Sequence, residues 1–222
     1  MKVVWKPSYR LIPSRFPPIG LFDRVADPAD LEAVFAVENL TNPRVRQEAG
    51  DISLVPQEER VSGPGTTPIM AAFTHLDPEG SRFSDGTYGV YYAASSLGTA
   101  ISETRHSRAR FLSRTKESPI EVDMRTYLTD VTGNLHDILG RNDLSAVYSP
   151  DNYRAGQALG RKLKTTNSNG IVYNSVRHAG GECVAVFKPR ILANCIQGPH
   201  FCYAWDGSRI SNVYEKKLYA SF

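Results

Sequence analysis

An arginine in a glycine-rich loop is the first residue of this sequence whose type and position could support chemistry. Arg82 lies in the loop Gly80–Gly86, where a guanidinium and backbone N–H groups can approach an anion closely. Phosphate or pyrophosphate is the natural ligand of such a loop. The alternative is that Arg82 only pairs with Asp85 on the surface, and the loop by itself leaves both interpretations open.

A tyrosine and a glutamate follow on the next two predicted elements. Neighbouring Tyr91 and Tyr92 lie in an apolar strand and must point to opposite faces, so either could stack on a ligand ring while the other is buried in the core. Glu103 lies at the edge of the apolar stripe of a predicted helix and is expected to be half-buried. Its carboxylate could stabilise a cationic sugar transition state, or it could pair only with Arg105 or Arg108.

A serine near the carboxyl end of the chain completes the set. Ser175 follows a predicted strand and precedes a glycine turn that contains His178. A serine nucleophile with His178 as its base is disfavoured, because residues three apart outside a helix rarely align and no acid to orient the imidazole is evident. His178 is interpreted as a solvated turn residue.

The composition describes a folded chain with little charge bias. The 222 residues are 41% hydrophobic and 22% charged with a net charge of +3, which excludes a disordered chain and names no anionic partner. The basic cluster Arg105–Arg110 is interpreted as a solvated helix face rather than a nucleic-acid stripe. The sequence shows no membrane span and no signal peptide, so we expect a cytoplasmic protein without membrane contact.

Metal and redox motifs are missing. Cys183, Cys195 and Cys202 form no close pair, so we expect reduced, buried thiols. His200 and Cys202 would give a metal only two ligands, so no metal is expected. GxSxG, GxxxxGK[ST], HExxH and a GxGxxG after a strand do not occur.

These side chains must be positioned by short strands and a few helices. There is no regular βαβ alternation, so the sequence predicts an α+β fold and disfavours a doubly wound one. Helical insertion-like sequence at about residues 17–65 follows the first strand, with helices expected at about 27–40 and from Thr41. The strands are expected at Lys2–Ile12, Val90–Ala94, Ile120–Val131 (one or two strands), Ile171–Tyr173, Cys183–Phe187 and Val213–Tyr219. One further helix is expected from Ser95 or Ser96 to about Leu112. Another is expected from about Pro150 to Lys164, with Ser149 as its cap. Gly156 and Gly160 of this second helix would allow close packing.

Three motif blocks together resemble the RES domain family, which is named for arginine, glutamate and serine. The blocks are Tyr9-Arg10, then Gly80-x-Arg82-Phe83-Ser84 leading to Tyr91-Tyr92 and Glu103, then Asn174-Ser175-x-Arg177 before Cys183–Phe187. Ten positions separate Arg82 from Tyr92 and eleven separate Tyr92 from Glu103. This spacing favours Tyr92 over Tyr91 as the site residue.

The resemblance implies a fold, an activity and roles for five residues. The fold is a single domain, residues 1–222, similar to ADP-ribosyltransferases, with mixed or antiparallel sheets and flanking helices. The activity is that of a toxin of a type II toxin–antitoxin pair that cleaves NAD at the nicotinamide ribose. Arg10 and Arg82 are expected to hold the pyrophosphate, Tyr92 to stack on a ring, Glu103 to stabilise the oxocarbenium-like transition state, and Ser175 to hydrogen-bond the ribose or a phosphate.

The resemblance also implies partners, and it leaves several points open. A Xre-type helix-turn-helix antitoxin that blocks the pocket is the implied protein partner, and direct nucleic-acid binding is not expected. The acceptor can be inorganic phosphate, water or a protein side chain. The oligomeric state, including a homo-oligomer, and any help from Arg177 or His178 stay open, as does the role of the insertion between Arg10 and Arg82. The alternative of another class is a non-catalytic module that binds nucleic acid or a partner through Arg105–Arg110.

Overall fold

A computed structural model describes residues 1–13, 23 and 50–220 of the chain. The two helices expected in the insertion fall on residues 27–49 and lie outside the described residues. The described end of the insertion, residues 50–65, contains two 3-10 turns, Ile52–Leu54 and Gln57–Glu59. The helical insertion and the extent of the domain therefore stay predictions.

In the described part of the chain, eight strands form one sheet. The strands are β1 (Lys2–Pro13), β2 (Tyr91–Ala94), β3 (Ile120–Asn134), β4 (His136–Asp137), β5 (Gly170–Asn174), β6 (Glu182–Val186), β7 (Leu192–Trp205) and β8 (Ile210–Lys216). The sheet order is β4-β5-β6-β2-β1-β3-β7-β8, and only the β4–β5 pair is parallel. The described helices are α1 (Thr67–Thr74), α2 (Leu97–Thr115) and α3 (Arg154–Thr165). The predicted α+β class, a mixed sheet with flanking helices, is confirmed.

Apolar side chains cover both faces of the sheet. One core contains Ile69 and Phe73 of α1, and the other contains Ala100 of α2 and Leu163 of α3. Tyr91 is fully buried in the first core, whereas its neighbour Tyr92 packs against the second. Adjacent residues of a strand point to opposite faces, so β2 separates the two cores at these tyrosines.

The central strands β1 and β2 leave an opening in the sheet. Their described register has a single pair, Tyr9 with Ala94. Beyond this pair β1 follows β3 and β2 follows β6, each through a longer antiparallel ladder. The site described below lies where these two strands separate.

Helix α2 is held firmly at its start and in its middle. Ser96 is its N-cap, and the Ser96 Oγ accepts the N–H of Thr99 at 3.2 Å, as the sequence predicts. The Thr104 hydroxyl lies 2.8 Å from the Tyr203 hydroxyl of β7 and ties the helix to the sheet. The helix continues past Leu112 to Thr115.

Helix α3 begins at Arg154, four residues later than the sequence predicts. The carbonyl of Ser149 accepts a hydrogen bond from Arg82, and the carbonyl of Pro150 accepts one from Arg177. Among the described residues, no backbone N–H donates to either carbonyl, so no helical turn forms at this point. Ser149 and Pro150 consequently belong to a loop and not to the first turn of the helix.

Strand β7 is a fourteen-residue element that the sequence does not predict. Asn194 and Gly198-Pro199 are typical of turns and hide its continuity. The strand accommodates Asn194 in a left-handed conformation with φ 50°, and its register against β3 shifts at two places. β3 is one strand of fifteen residues, and β8 begins three residues before the predicted Val213.

Two further observations concern features expected from the sequence. Cys183, Cys195 and Cys202 are buried free thiols, as predicted. None of the described helices is long and apolar enough to cross a membrane.

We predict that Gly160→Ala destabilises the protein although alanine is the better helix former. A Cβ at Gly160 would collide with the carbonyl oxygen of Phe83, in the loop that carries Arg82. Overpacking of this kind costs about 1–3 kcal/mol, more than the helix propensity gained. Urea unfolding is the measurement. Gly98→Ala in α2 is the matched control, because its Cβ has nothing closer than His178 at 3.9 Å, and it should be neutral or stabilising. Equal effects of both variants would contradict the close packing.

Candidate active site

A cavity of about 470 Å³ opens where β1 and β2 separate, against the side of α2. Arg82, Tyr92 and Glu103 all line it, although they come from a loop, a strand and a helix. Its charged lining contains more arginines than carboxylates, which favours an anionic ligand. The arginines are Arg10, Arg82, Arg108, Arg110 and Arg114, and the carboxylates are Asp77, Glu79 and Glu103.

The structure joins Glu103 to Ser175 directly. The Ser175 hydroxyl donates to Glu103 Oε1 at 2.6 Å, and the backbone N–H of Val176 donates to the same oxygen at 3.1 Å. Ser175 Oγ in turn accepts the N–H groups of Arg177 and His178 at 3.1 and 3.0 Å. The turn after β5 is thereby fixed against α2, and its serine orients the carboxylate.

Both alternatives considered for these residues are wrong in this structure. Among the described residues, Glu103 makes no ion pair within 4 Å with Arg105 or Arg108, and none hydrogen-bonds its Oε2. His178 Nδ1 lies 2.8 Å from the Thr99 hydroxyl, and the Ser175 proton is directed to Glu103, so no serine–histidine catalytic pair forms. Glu103 therefore presents a carboxylate oriented by hydrogen bonds at the cavity wall.

Arg82 is 7% exposed and is fixed by backbone carbonyls. Its Nη1 donates to the carbonyls of Val147 and Ser149, both at 2.9 Å. Its guanidinium carbon lies 4.8 Å from the centre of the Tyr153 ring. The alternative pairing with Asp85 does not occur, because Asp85 pairs with Arg161 of α3.

Tyr92 anchors the loop that carries Arg82. Its hydroxyl lies 2.7 Å from the Ser81 Oγ and accepts the backbone N–H of Phe83 at 2.9 Å. Burial raises the pKa of Tyr92 to about 12, so the hydroxyl stays protonated and can also donate to Ser81. The ten-residue spacing between Arg82 and Tyr92 has a structural reason in these bonds. The Tyr92 ring lines the cavity, and its stacking on a ligand stays a prediction.

Arg10 spans the opening between β1 and β2 instead of pointing to Glu103. Its Nη1 donates to the carbonyl of Tyr92 at 3.0 Å, and its guanidinium carbon lies 4.6 Å from the centre of the Tyr91 ring. The pKa of Arg10 is lowered by burial. Tyr91 and Tyr92 face opposite sides of the sheet, so this guanidinium lies on the face away from Glu103. Arg10 nevertheless lines the same cavity as Arg82 and Glu103, so its expected contact with the pyrophosphate stays a prediction.

Three side chains that line the cavity are not among the site residues predicted from the sequence. Arg108 and Arg110 line it, although the sequence pattern indicates a solvated helix face; that interpretation fits exposed Arg105 and Arg110, whereas Arg108 is half-buried. For Arg110 the signal is helical spacing, because a residue seven positions after Glu103 lies on the same face; Arg108, five positions after Glu103, lies about 140° round the helix and has no such signal. Tyr153 also lines the cavity, 5.2 Å from the Arg110 guanidinium carbon. It lies in the loop that the sequence predicts as helix, so no pattern marks it.

Arg177 connects the Ser175 turn with α2 and with the loop before α3. Its Nη2 lies 2.7 Å from His106 Nε2, also donates to the carbonyl of Pro150, and is 3.5 Å from Asp151 Oδ1. Arginine can only donate, so His106 Nε2 is the acceptor and the neutral ring carries its proton on Nδ1. Burial, and then the charge of Arg177, lower the pKa of His106.

No metal site accompanies these residues in the described part of the chain. Among residues 1–13, 23 and 50–220, no group of three or more His, Cys, Asp or Glu side chains could hold a metal ion. The polar groups that line the cavity are arginines, hydroxyl groups, His75 and three carboxylates, of which Glu103 is hydrogen-bonded to Ser175.

Comparison with known proteins shows a family match and similarity to proteins that include the following two. Residues 57–206 match the model of the RES domain. The uncharacterized protein y4oC of Sinorhizobium fredii is 35% identical over 209 residues, which cover 93% of this chain and 86% of that protein. The crystal structure of the M. tuberculosis MbcT–MbcA toxin–antitoxin complex matches with a TM-score of 0.41 and 14% identity, covering 89% of this chain and 86% of that chain.

We predict that Tyr92→Phe lowers stability by about 1–3 kcal/mol, because it leaves the half-buried N–H of Phe83 without its acceptor. Ser81→Ala removes only one partner of the same hydroxyl and should cost less. Denaturant unfolding of both variants is the measurement. A Tyr92→Phe variant as stable as the wild type would contradict the anchoring role.

We predict that His106 makes the protein less stable as the pH falls below its ordinary pKa of about 6.5. The fold lowers this pKa, so the unfolded chain binds the proton more readily than the folded protein does. The contribution of His106 to the free energy of unfolding is fully present above about pH 6.5. It decreases as the pH falls from there to the lower pKa of the folded protein, by at most about 1.4 kcal/mol per pH unit. Unfolding midpoints between about pH 7.5 and 5.5 should fall more steeply for the wild type than for His106→Gln, whose amide oxygen can still accept from Arg177. Parallel slopes would exclude this effect.

Proposed function

Because the chain belongs to the RES domain family, as its sequence motifs indicate, we propose that it is the NAD-consuming toxin of a toxin–antitoxin pair. The observation that carries the proposal is the hydrogen bond between Ser175 and Glu103 at the wall of an arginine-rich cavity. An oriented carboxylate suits a developing sugar cation, and guanidinium groups suit the phosphates of a dinucleotide.

The proposed reaction cleaves the glycosidic bond between nicotinamide and ribose. The bonding electron pair goes to the nicotinamide nitrogen, which loses its positive charge, and the ribose carbon becomes oxocarbenium-like. Glu103 would stabilise that cation through its carboxylate, and Ser175 would hold the carboxylate in place. A contact of Ser175 with the ribose or a phosphate would require one of its three protein hydrogen bonds to be exchanged for the ligand.

The ribose carbon then bonds to an acceptor oxygen. With hydrogenphosphate the product is ADP-ribose 1-phosphate, whereas with water the product is ADP-ribose and one proton is released. The excess of arginine at the cavity supports phosphate as acceptor, and therefore an NAD phosphorylase. The alternative is transfer of ADP-ribose to a side chain of a target protein.

A protein antitoxin of the Xre type completes the proposal. This partner rests on the family resemblance, and the open cavity is the surface that such an antitoxin would need to cover in order to block the reaction. Co-expression with the antitoxin should restore both growth and the NAD content of the cells.

We predict that Glu103→Gln reduces NAD consumption by about 10²–10³-fold, because the amide keeps the shape of the side chain but not the charge that stabilises the cation. The measurement is NAD content after brief induction, followed by the rate of nicotinamide release from the purified chain with and without phosphate. Glu117→Gln removes the same charge from an exposed residue just beyond α2 and should leave the rate unchanged.

The outcomes separate the candidate functions. Stimulation by phosphate identifies phosphorolysis, and labelled ADP-ribose on a protein identifies transfer. A Glu103→Gln chain that arrests growth as strongly as the wild type, with NAD intact in both, would reject the enzyme and favour the non-catalytic binding module.

A further inference from the structure

The arginines of the cavity differ in how far the protein already satisfies them. Arg10 is bonded to the carbonyl of Tyr92 on the far face of β2, and Arg114 pairs with Glu79. Arg82 uses its Nη1 for two backbone carbonyls. These three side chains therefore have protein partners that fix the walls of the cavity.

Arg108 and Arg110 stand apart from this group. Within the described residues, neither forms an ion pair within 4 Å or a hydrogen bond; each guanidinium only contacts a ring, Phe111 at 5.3 Å for Arg108 and Tyr153 at 5.2 Å for Arg110. Arg108 is half-buried, and burial lowers its pKa, although Asp77 opposes that shift. Arg110 is exposed, so its charge is already solvated. An anion bound in the cavity would accept hydrogen bonds from two guanidinium groups that have no acceptor among the described residues.

The position of Arg110 relative to Glu103 also fits a ligand that reaches from one residue to the other. Arg110 lies seven residues after Glu103 on α2, which is about 10 Å along the helix axis. The ring of Tyr153 contacts both Arg110 and Arg82, so the helix and the Arg82 loop bring positive charge to the same part of the cavity. A ligand reaching from Glu103 along α2 would place a phosphate at these guanidinium groups.

We propose that Arg108 and Arg110, beside Arg82, form a phosphate-binding subsite of this cavity. Phosphate matches the planar fork of arginine, and two or three such forks can surround one phosphate group. The evidence for the subsite is the cavity and the guanidinium groups that have no protein acceptor among the described residues. Only the identity of the phosphate-containing ligand rests on the proposed function. The source of the phosphate is either the pyrophosphate of NAD or the inorganic phosphate acceptor.

Calorimetric titration of the Glu103→Gln chain tests the subsite without turnover. The probes are inorganic phosphate and ADP-ribose, which carries the pyrophosphate of NAD without nicotinamide. Adding Arg108→Gln and Arg110→Gln should weaken binding of at least one probe by at least about tenfold, because charge-assisted contacts are lost. Adding Arg105→Gln, which removes an exposed charge from the same helix outside the cavity, should leave both affinities unchanged.

The two arms identify the source. Weaker binding of inorganic phosphate, with ADP-ribose unaffected, assigns the subsite to the acceptor, whereas weaker binding of ADP-ribose assigns it to the dinucleotide. Thermal unfolding checks that each variant is folded. If the double variant is unfolded, Arg110→Lys replaces it in the titration. Lysine keeps the positive charge but not the planar guanidinium, so this variant should lose affinity for the same probe. Affinities for both probes that match those of the Arg105→Gln control would overturn the subsite. If the wild type consumes no NAD while phosphate binding still requires Arg110, the proposed function fails and the subsite stands.

Discussion

Every charged group buried where the sheet opens must find a polar partner within the protein, and this constraint organises the whole site. Arg82 donates to two carbonyls of the loop before α3, Arg10 donates to the carbonyl of Tyr92, and Glu103 accepts from Ser175 and a backbone N–H. An unpaired charge in such surroundings would cost several kcal/mol. The hydrogen bonds that remove this cost also hold the loops in place. The same bonds therefore both stabilise the buried charges and position the side chains of the site.

The same bonds explain why the site is rigid although half of it consists of loops. Arg177 links the Ser175 turn, α2 and the loop that carries Tyr153 through three acceptors on two separate segments. Tyr92 fixes the Arg82 loop from the strand below it. The groups that would meet a substrate are consequently held before it binds, and such preorganisation is what electrostatic stabilisation of a charged transition state needs. Among the described residues, Arg108 and Arg110 are the arginines of the cavity without such a hydrogen bond, which leaves their guanidinium groups available to a ligand.

Much of the fold and part of the site could be predicted from the sequence, because the relevant signals are local. The Ser96 cap, the half-buried position of Glu103 and the buried strand with Tyr91 and Tyr92 depend on near neighbours along the chain. Strand β7 was missed because Asn194 and Gly198-Pro199 are typical of turns, and only pairing with β3 keeps them in a strand. The later start of α3 also depends on distant residues, since arginines from elsewhere in the chain bind the carbonyls of Ser149 and Pro150.

The sequence by itself determined the α+β class, the family and a set of candidate site residues, because residue types, helical spacing and caps are properties of short segments. The tertiary structure alone decided which of these side chains meet. It joined Ser175 to Glu103 across 72 positions, turned Arg10 to the far face of β2, and brought Tyr153 between the Arg82 loop and Arg110. The physical reason is that partners for buried charges are selected by distance in the folded protein, and separation along the chain carries no information about that distance.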